Sequence, residues 1–498
     1  MEGLDPVLFA FAQLVQPMTI MLIVFGIVFG ITVGVLPGLG APIALTVCLP
    51  FTYQLSAIQS FALLLAIYNA AVYGGSLSAI TLGIPGTGAA AATISDGYSL
   101  FKKGRGGEAL GFALAASVFG GLFGAICLTF IAPFLASMAM KIGPREYLAI
   151  GVFGMLVVGR VAGDSLTKGL IMGGIGIFLT TFGIDEINGN MRYNFGSYHL
   201  YDGLPLVPVL VGFFAIPECL INCERIITRK FDAQSLRSKM PSLGFIYKIK
   251  GILLRSSIIG TIIGIVPGEG GAIGAFYSYS EAKRTSKTPE KFGTGAVEGI
   301  MAPEAANNAT IGGALIPTLT LGVPGSPAAA VLLGALMIQG LNPGPKLFED
   351  APNVMYSIFI GMIIINILLL FIGRVAIRFG AKIIAIPMQL IVPIVLLVCY
   401  VGAFCVGNDI FGVWVLLWVG LLGYVAVKLN FPVVPCVIGF ILGPMIEMYF
   451  RQSIVICQGD FLKFFSSPIA NTIYGILILS FTWKYIRQLM GRVWRKDT

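Results

Sequence analysis

Apolar stretches of about 18 residues or more recur along the chain, for example at residues 18–36 and 111–140, separated by short polar loops. Each is long enough to cross a hydrocarbon core as a helix. Outer-membrane strands alternate apolar and polar positions instead, a pattern not seen here. The pattern predicts an all-α polytopic membrane protein. Four apolar runs are broken in the middle by Pro-Gly: GVLPGLG at 34–40, TLGIPGT at 81–87, GIVPGEG at 264–270 and TLGVPGS at 320–326. Proline removes a backbone donor and glycine permits helix-breaking angles. Unpaired backbone at membrane depth is tolerated only where it is buried in protein or lines a cavity.

The four motifs form two pairs, and the rest of the chain repeats with them. NAAVYGG at 69–75 returns as NNATIGG at 307–313, and LPLVPVLVGFFAIP at 204–217 returns as FPVVPCVIGFILGP at 431–444. The order is kept, so the chain is a duplication. The expected domains are a first membrane repeat (1–224), a basic cytoplasmic linker (225–255), a second repeat (256–450) and an extra helix with a basic tail (451–498). Basic loops give the relative direction. Lys102, Lys103 and Arg105 correspond to a loop at 343–350 with one lysine and two acids. Lys283, Arg284, Lys287 and Lys291 correspond to residues 54–59, which carry no charge. If Lys and Arg mark the cytoplasm, equivalent loops face opposite sides and the repeats are inverted. The Pro-Gly motifs are expected to form re-entrant helical hairpins or broken helices; with each as the tip of a hairpin, each copy holds about five crossings and two hairpins. That count totals about 11–12 transmembrane helices, with the N-terminus outside and the C-terminus in the cytoplasm; if residues 18–36 instead cross fully, the count rises and the N-terminus moves inside.

Broken segments at matching places in two halves are a sequence pointer to a transporter binding site. A helix starting at a break exposes unpaired N–H groups and about half a positive charge, and so binds anions without lysine or arginine. Carbonyl ends before a break ligate cations such as sodium. The candidate substrate-binding residues are Gly38, Gly40, Asn69, Thr81, Gly86, Thr87, Gly268, Gly270, Asn307, Thr320, Gly325 and Ser326. Glu269 and Glu304 are acids inside apolar sequence and hence candidates for a coupling ion; Glu269 reads equally as a helix cap. An isolated Gly-Pro break often serves only to kink or pack a membrane helix. Two breaks, each kept in both copies, point beyond packing. Asp96 lies at the polar end of its segment, where capping competes with function. His199 reads as an exposed loop side chain, and Asp164 and Asp409 as loop acids.

Composition narrows the class. The chain is 57% hydrophobic and 11% charged, against roughly 25% charged in globular proteins. The net charge of +9 comes from loops between spans, so it reports orientation and not a nucleic-acid partner. MEGLDPVLF has no basic residue before the first apolar run, which argues against a cleaved secretory signal. Eight scattered cysteines without CxxC read as packing. No GxxxxGK[ST] loop indicates nucleotide drive, and no HExxH or nucleophile–base pair indicates an enzyme. No cofactor is expected beyond a coupling ion, Na+ or H+.

The paired motifs GVLPGLG and GIVPGEGGAIGAFYSY, and YGGSLSAITLGIPGTGAAAATISDGY with its second PGS copy, resemble the large permease subunit of the tripartite tricarboxylate transporters. The resemblance spans about residues 10–490. It implies a bacterial inner-membrane, multi-pass permease importing di- or tricarboxylates under a sodium or proton gradient. It also implies two partners: a small membrane subunit of about four spans and a periplasmic solute-binding protein. The family's glycine motifs fall on Gly34, Pro37, Gly38, Gly40, Gly83, Pro85 and Gly86, and on Gly264, Pro267, Gly268, Gly270, Gly271, Gly322, Pro324 and Gly325. The reading is a secondary active transporter working by alternating access. Its rivals are a passive organic-anion channel of the same architecture and an intramembrane enzyme.

Overall fold

The computed structural model describes residues 5–161, 165–185, 187–224, 239–268, 270–384, 386, 388–479 and 482. Glu269, Asp164 and the basic tail after 482 lie outside the described residues. Apart from a two-residue antiparallel β-pair (Gly183–Ile184 with Met191–Arg192), the described fold is helical. Among the described residues, eight helices are long and apolar enough to cross a membrane.

The first copy opens with α1 (Pro6–Leu14), α2 (Pro17–Val35) and α3 (Ala41–Cys48), followed by α4 (Ala57–Leu82), α5 (Ala91–Leu100) and α6 (Gly106–Ala139). It closes with α7 (Pro144–Val161), α8 (Leu166–Leu179) and α9 (Leu206–Glu224). The short α10 (Leu243–Lys248) leads into α11 (Lys250–Ile265), so the helix of the second copy starts inside the expected linker. Then come α12 (Gly270–Thr285), α13 (Glu298–Leu321), α14 (Pro327–Ile338), α15 (Leu347–Asp350) and α16 (Pro352–Ile384). After these follow α17 (Met388–Gly407), α18 (Ile410–Lys428), α19 (Val433–Ile456) and α20 (Pro468–Leu479).

Small residues set the packing. A Cβ at Gly26, Gly30 or Gly34 of α2 would lie 2.8, 2.5 or 2.2 Å from the carbonyl oxygens of Leu63, Ile67 and Ala71. The ascending order means that α2 and α4 run parallel, in the close approach that small residues at i, i+4 spacing permit. Gly260 and Gly264 of α11 do the same on α13, 2.1 and 2.7 Å from the oxygens of Ala306 and Thr310. Because α2 and α4 start at the same end, α3 must return there, and residues 36–40 are the tip of a re-entrant hairpin. Residues 266–268 lie at the equivalent tip: Gly271 lies against Asn307 while Ser278, further along α12, donates to the carbonyl of Ala302.

The second break behaves differently: of the two forms expected for these motifs, a re-entrant hairpin and a broken helix, it takes the second. α4 ends where Gly83 turns left-handed (φ 67°), as α13 does at Gly322 (φ 71°). The chain doubles back until Gly86 N–H donates to the carbonyl of Gly75 at 3.3 Å. Yet α5 then resumes the direction of α4: Gly97 packs on Ile80, and Tyr98 on Gly83. The motif thus interrupts a crossing without reversing it. Flanking packing decides this, since α5 is held between α4, α6 and α13.

The helices form two bundles whose contacts exchange between copies. In the first, α13 packs on α6 and α4 packs on α16. In the second, α9 packs on α18 and α19 packs on α8. Gly212 and Gly439, in register in the two copies, serve these last two contacts: a Cβ there would lie 2.9 Å from Val419 and 2.3 Å from the carbonyl oxygen of Gly173.

The loops gather correspondingly. Lys103 Nζ donates to the carbonyl of Thr294 at 2.6 Å, Lys239 N–H to that of Gly107 at 3.1 Å, and Arg255 pairs with Glu281 at 3.5 Å. One end of the molecule therefore collects basic segments from both copies. At the other end, Gln339 Nε2 donates to the carbonyl of Thr52 at 2.8 Å and to Ser60 Oγ at 3.0 Å.

The long loop at 180–205 also lies at this second end. Asp185 accepts from the Ile187 N–H at 3.0 Å and pairs with Arg451 at 2.9 Å. These contacts hold its carboxyl below the usual carboxylate range. A depressed folded value stabilises the loop above the ordinary carboxylate pKa, and that contribution is lost as pH falls through the folded value. Protease nicking of the loop is accordingly expected to stay flat from neutral to mildly acidic pH and to rise only below the ordinary Asp pKa. His199 is half-exposed and pairs with Asp409 at 2.7 Å, and Asp409 also caps α18.

Candidate functional site

The breaks interlock in matched pairs. A Cβ at Gly86 would lie 2.2 Å from the carbonyl oxygen of Gly34, and one at Gly325 2.6 Å from that of Gly264. Each interrupted crossing therefore rests on the end of the parallel hairpin helix of its own copy. Gly268, at φ 137°, donates its N–H to the carbonyl of Gly325 at 3.2 Å. A non-glycine residue there would be strained. Across copies, Ala89 of the first break meets Gly271, in the first turn of α12. Gly38 is left-handed (φ 87°) and exposed, and Gly40 precedes α3 as its N-cap. Gly270 opens α12.

The side chains predicted for the site divide into two groups. At the breaks, Ser326 caps α14 by accepting from the Ala329 N–H at 3.1 Å, and its hydroxyl bonds the Tyr68 hydroxyl at 2.9 Å. The contact joins the break of the second copy to α4 of the first. Thr87 Oγ1 accepts from the Ala90 N–H at 3.4 Å, beside Gly75. Asn307 is buried beside Gly271, and its Nδ2 has no partner among the described residues. A buried amide donor left unpaired costs about 1–3 kcal/mol, so this group is one to which a ligand atom would bond.

The other group serves packing. Asn69 Nδ2 donates to the carbonyl of Leu65 at 2.8 Å, and its Oδ1 accepts from Asn366 at 3.2 Å, tying α4 to α16. Thr81 and Thr320 bond back to the carbonyls of Leu77 and Ile316 on their own helices.

Glu304 sits at the centre of the first bundle, with no exposed surface. Its carboxylate accepts from Ser76 on α4 at 2.6 Å, Thr93 on α5 at 2.5 Å and Ser117 on α6 at 3.1 Å. All three hydroxyls are fully buried. Among the described residues no lysine or arginine pairs with it. Taking a carboxylate out of water costs several kcal/mol, and three neutral donors offset part of that. A proton or a cation would complete the neutralisation. Thr93 stands in the first turn of α5, just after the break, so its hydrogen bond ties that segment to Glu304 on α13.

Two further acids have different roles. Asp96 is fully buried; its Oδ1 accepts from the N–H groups of Gly293, Gly295 and Ala296 at 2.8, 2.8 and 2.7 Å, and its Oδ2 from the Tyr279 hydroxyl at 2.9 Å. It clamps α5 of one copy to the α12–α13 loop of the other. Asp96→Ala is expected to lower stability by about 3 kcal/mol or more, since four donors lose their acceptor. Melting of the purified protein in detergent checks this, and Asp96→Asn, which keeps one acceptor oxygen, should lose less. Sequence reading did not single out Glu218. A Cβ on Gly38 would lie 2.5 Å from its Oε1, and Asn222 lies alongside. An acid following the registered proline of an apolar helix was the available signal.

The fold and this centre define a polytopic helical membrane protein built from two copies, with interrupted helices meeting in its interior. Its sequence matches, over residues 20–438, the family described as the tripartite tricarboxylate transporter TctA family. The chain belongs to that family of transport permeases, the large subunits of tripartite transporters. It is 35% identical over 96% of its length, and 95% of the relative's, to the "Uncharacterized 52.8 kDa protein in TAR-I ttuC' 3'region" of Agrobacterium vitis. Over 44% of its length, and 90% of the relative's, it is 36% identical to the "Uncharacterized protein in TAR-II ttuC' 3'region" of the same organism. No solved structure matches it.

Proposed function

We propose that the chain is the translocating subunit of a bacterial inner-membrane uptake system for small organic carboxylates. A periplasmic binding protein delivers the substrate, and a small membrane subunit of about four spans completes the complex. The two copies are inverted across the membrane. This reading is supported by the joining of inequivalent loops, 101–105 with 293–296 and 52–60 with 339, while equivalent ones lie apart. The basic end faces the cytoplasm by the charge rule, which puts the start of α2 outside.

The observation that carries the proposal is the matched pair of interrupted crossings, each seated on a re-entrant hairpin. They bring N–H-bearing helix starts, glycine backbone and the Asn307 amide, unpartnered among the described residues, into the membrane interior, where an anion is bound by fixed dipoles. Glu304 holds the coupling proton or sodium ion, and Thr93 transmits its occupancy to the break. Reconstituted into liposomes with both partner subunits, the protein is expected to accumulate a labelled tricarboxylate when an inward sodium or proton gradient is imposed. Equilibration without accumulation under either gradient would instead identify an anion channel.

A further inference from the structure

The duplication supplies an internal control, because each contact made by one copy has an equivalent in the other. Most contacts obey it; those between the two bundles do not. At the end opposite the basic loops, α3 packs on α9, the turn after it on α17, and α14 on α9 and α19. A Cβ at Gly402 of α17 would lie 2.6 Å from Pro50, and one at Gly334 of α14 2.7 Å from Leu210 of α9. At the basic end the equivalent elements are α12 and α5. The packing partners of α12 are α5, α11, α13 and the turn that follows it, and those of α5 are α4, α6, α12, α13 and the turn after it. Among the described residues, no helix of the second bundle is one of these partners.

Burial tells the same story residue by residue. Aligning GVLPGLG with GIVPGEG pairs Val47 with Tyr277, which are 6% and 59% exposed, and Thr46 with Phe276, 0% and 49%. Aligning TLGIPGT with TLGVPGS pairs the buried Gly334 with the exposed Ser95.

We infer that this is one of two end states: the molecule is sealed at its non-basic end and open at its basic end. The second state forms when the two copies exchange roles. In it, α12 and α5 close onto the second bundle while α3 and α14 release. The exposed face of α12 is then the wall of an aqueous cleft and the future sealing surface, not a lipid contact. The inference deepens the transport reading and rests on it for its biological meaning, although the geometry tested is independent.

The repeat alignment names the new contact. Gly334 with Leu210 becomes Ser95 with Val437, since LPLVPVL aligns with FPVVPCV. The test uses the reconstituted full chain with Cys127, Cys223 and Cys405 replaced by serine. Phe276→Cys should react at rest with a charged, membrane-impermeant maleimide applied to the basic face, and substrate turnover should slow that reaction severalfold. Ser95→Cys with Val437→Cys should crosslink during turnover and not at rest. The pair Leu210→Cys with Gly334→Cys should crosslink at rest, and once linked should halt transport.

A Phe276→Cys variant that is transport-competent yet inert to the aqueous reagent would overturn the inference. So would a Ser95/Val437 double variant that accumulates substrate but never crosslinks. If the pair crosslinks while the protein only equilibrates substrate, the exchange of roles stands and the coupled-transport reading fails.

Discussion

Glu304→Ala is expected to reduce gradient-driven uptake at least 100-fold, a difference of about 2.7 kcal/mol. Three buried hydroxyls, from Ser76, Thr93 and Ser117, would lose their common acceptor. Each orphaned donor costs about 1–3 kcal/mol, so part of the loss would appear as lower stability. Glu304→Gln separates the two effects. It keeps the shape and one acceptor oxygen but carries no charge, so the protein should fold and exchange substrate while its uptake becomes insensitive to the ion gradient. Uptake by Glu304→Gln measured against sodium concentration and pH decides the matter; a wild-type profile would remove this carboxylate from coupling.

The second large effect is steric. Gly86→Ala and Gly325→Ala would each place a methyl group within 3 Å of a backbone carbonyl oxygen, of Gly34 and Gly264 respectively. Backbone cannot step aside as a flexible side chain does, so the cost should exceed the about 1–3 kcal/mol typical of overpacking. The break would be lifted off the hairpin it rests on. Transport is expected to fall more than tenfold in both variants, with membrane insertion unchanged. Gly88 provides the control: nothing lies within 4 Å of the position a Cβ would take there, and Gly88→Ala should retain transport. Initial rates normalised to inserted protein make the comparison. Wild-type rates in Gly86→Ala would show that the break is not held by that contact.

Much of this architecture was readable in the chain. The Pro-Gly motifs end helices because glycine turns left-handed at 83 and 322 and the following X-Pro cannot continue a helix. The duplication was readable because Gly212 and Gly439, or Gly34 and Gly264, keep the same packing role and so the same residue. Which break reverses the chain was not readable. The local sequence is Pro-Gly in both cases, and direction depends on the neighbours that hold α3 or α5. The roles of polar residues were legible only in part. Glu304 stood out as an acid in apolar sequence, but its hydroxyl partners come from three other helices, and nothing in the sequence marks Ser76, Thr93 or Ser117 as meeting there. Asn69 and Asn307 occupy matching motif positions, yet one is consumed in tying α4 to α16 while the other keeps a donor without a partner among the described residues. Nothing in the matching motifs marks that difference, because the partners come from other helices.

The most direct test of the carrier account is counterflow. Liposomes containing the permease are loaded with excess unlabelled tricarboxylate and diluted into a trace of labelled substrate with no ion gradient. A site exposed to one side at a time predicts a transient overshoot of label inside, above the external concentration. A monotonic approach to equal concentrations, with no overshoot, would contradict the account.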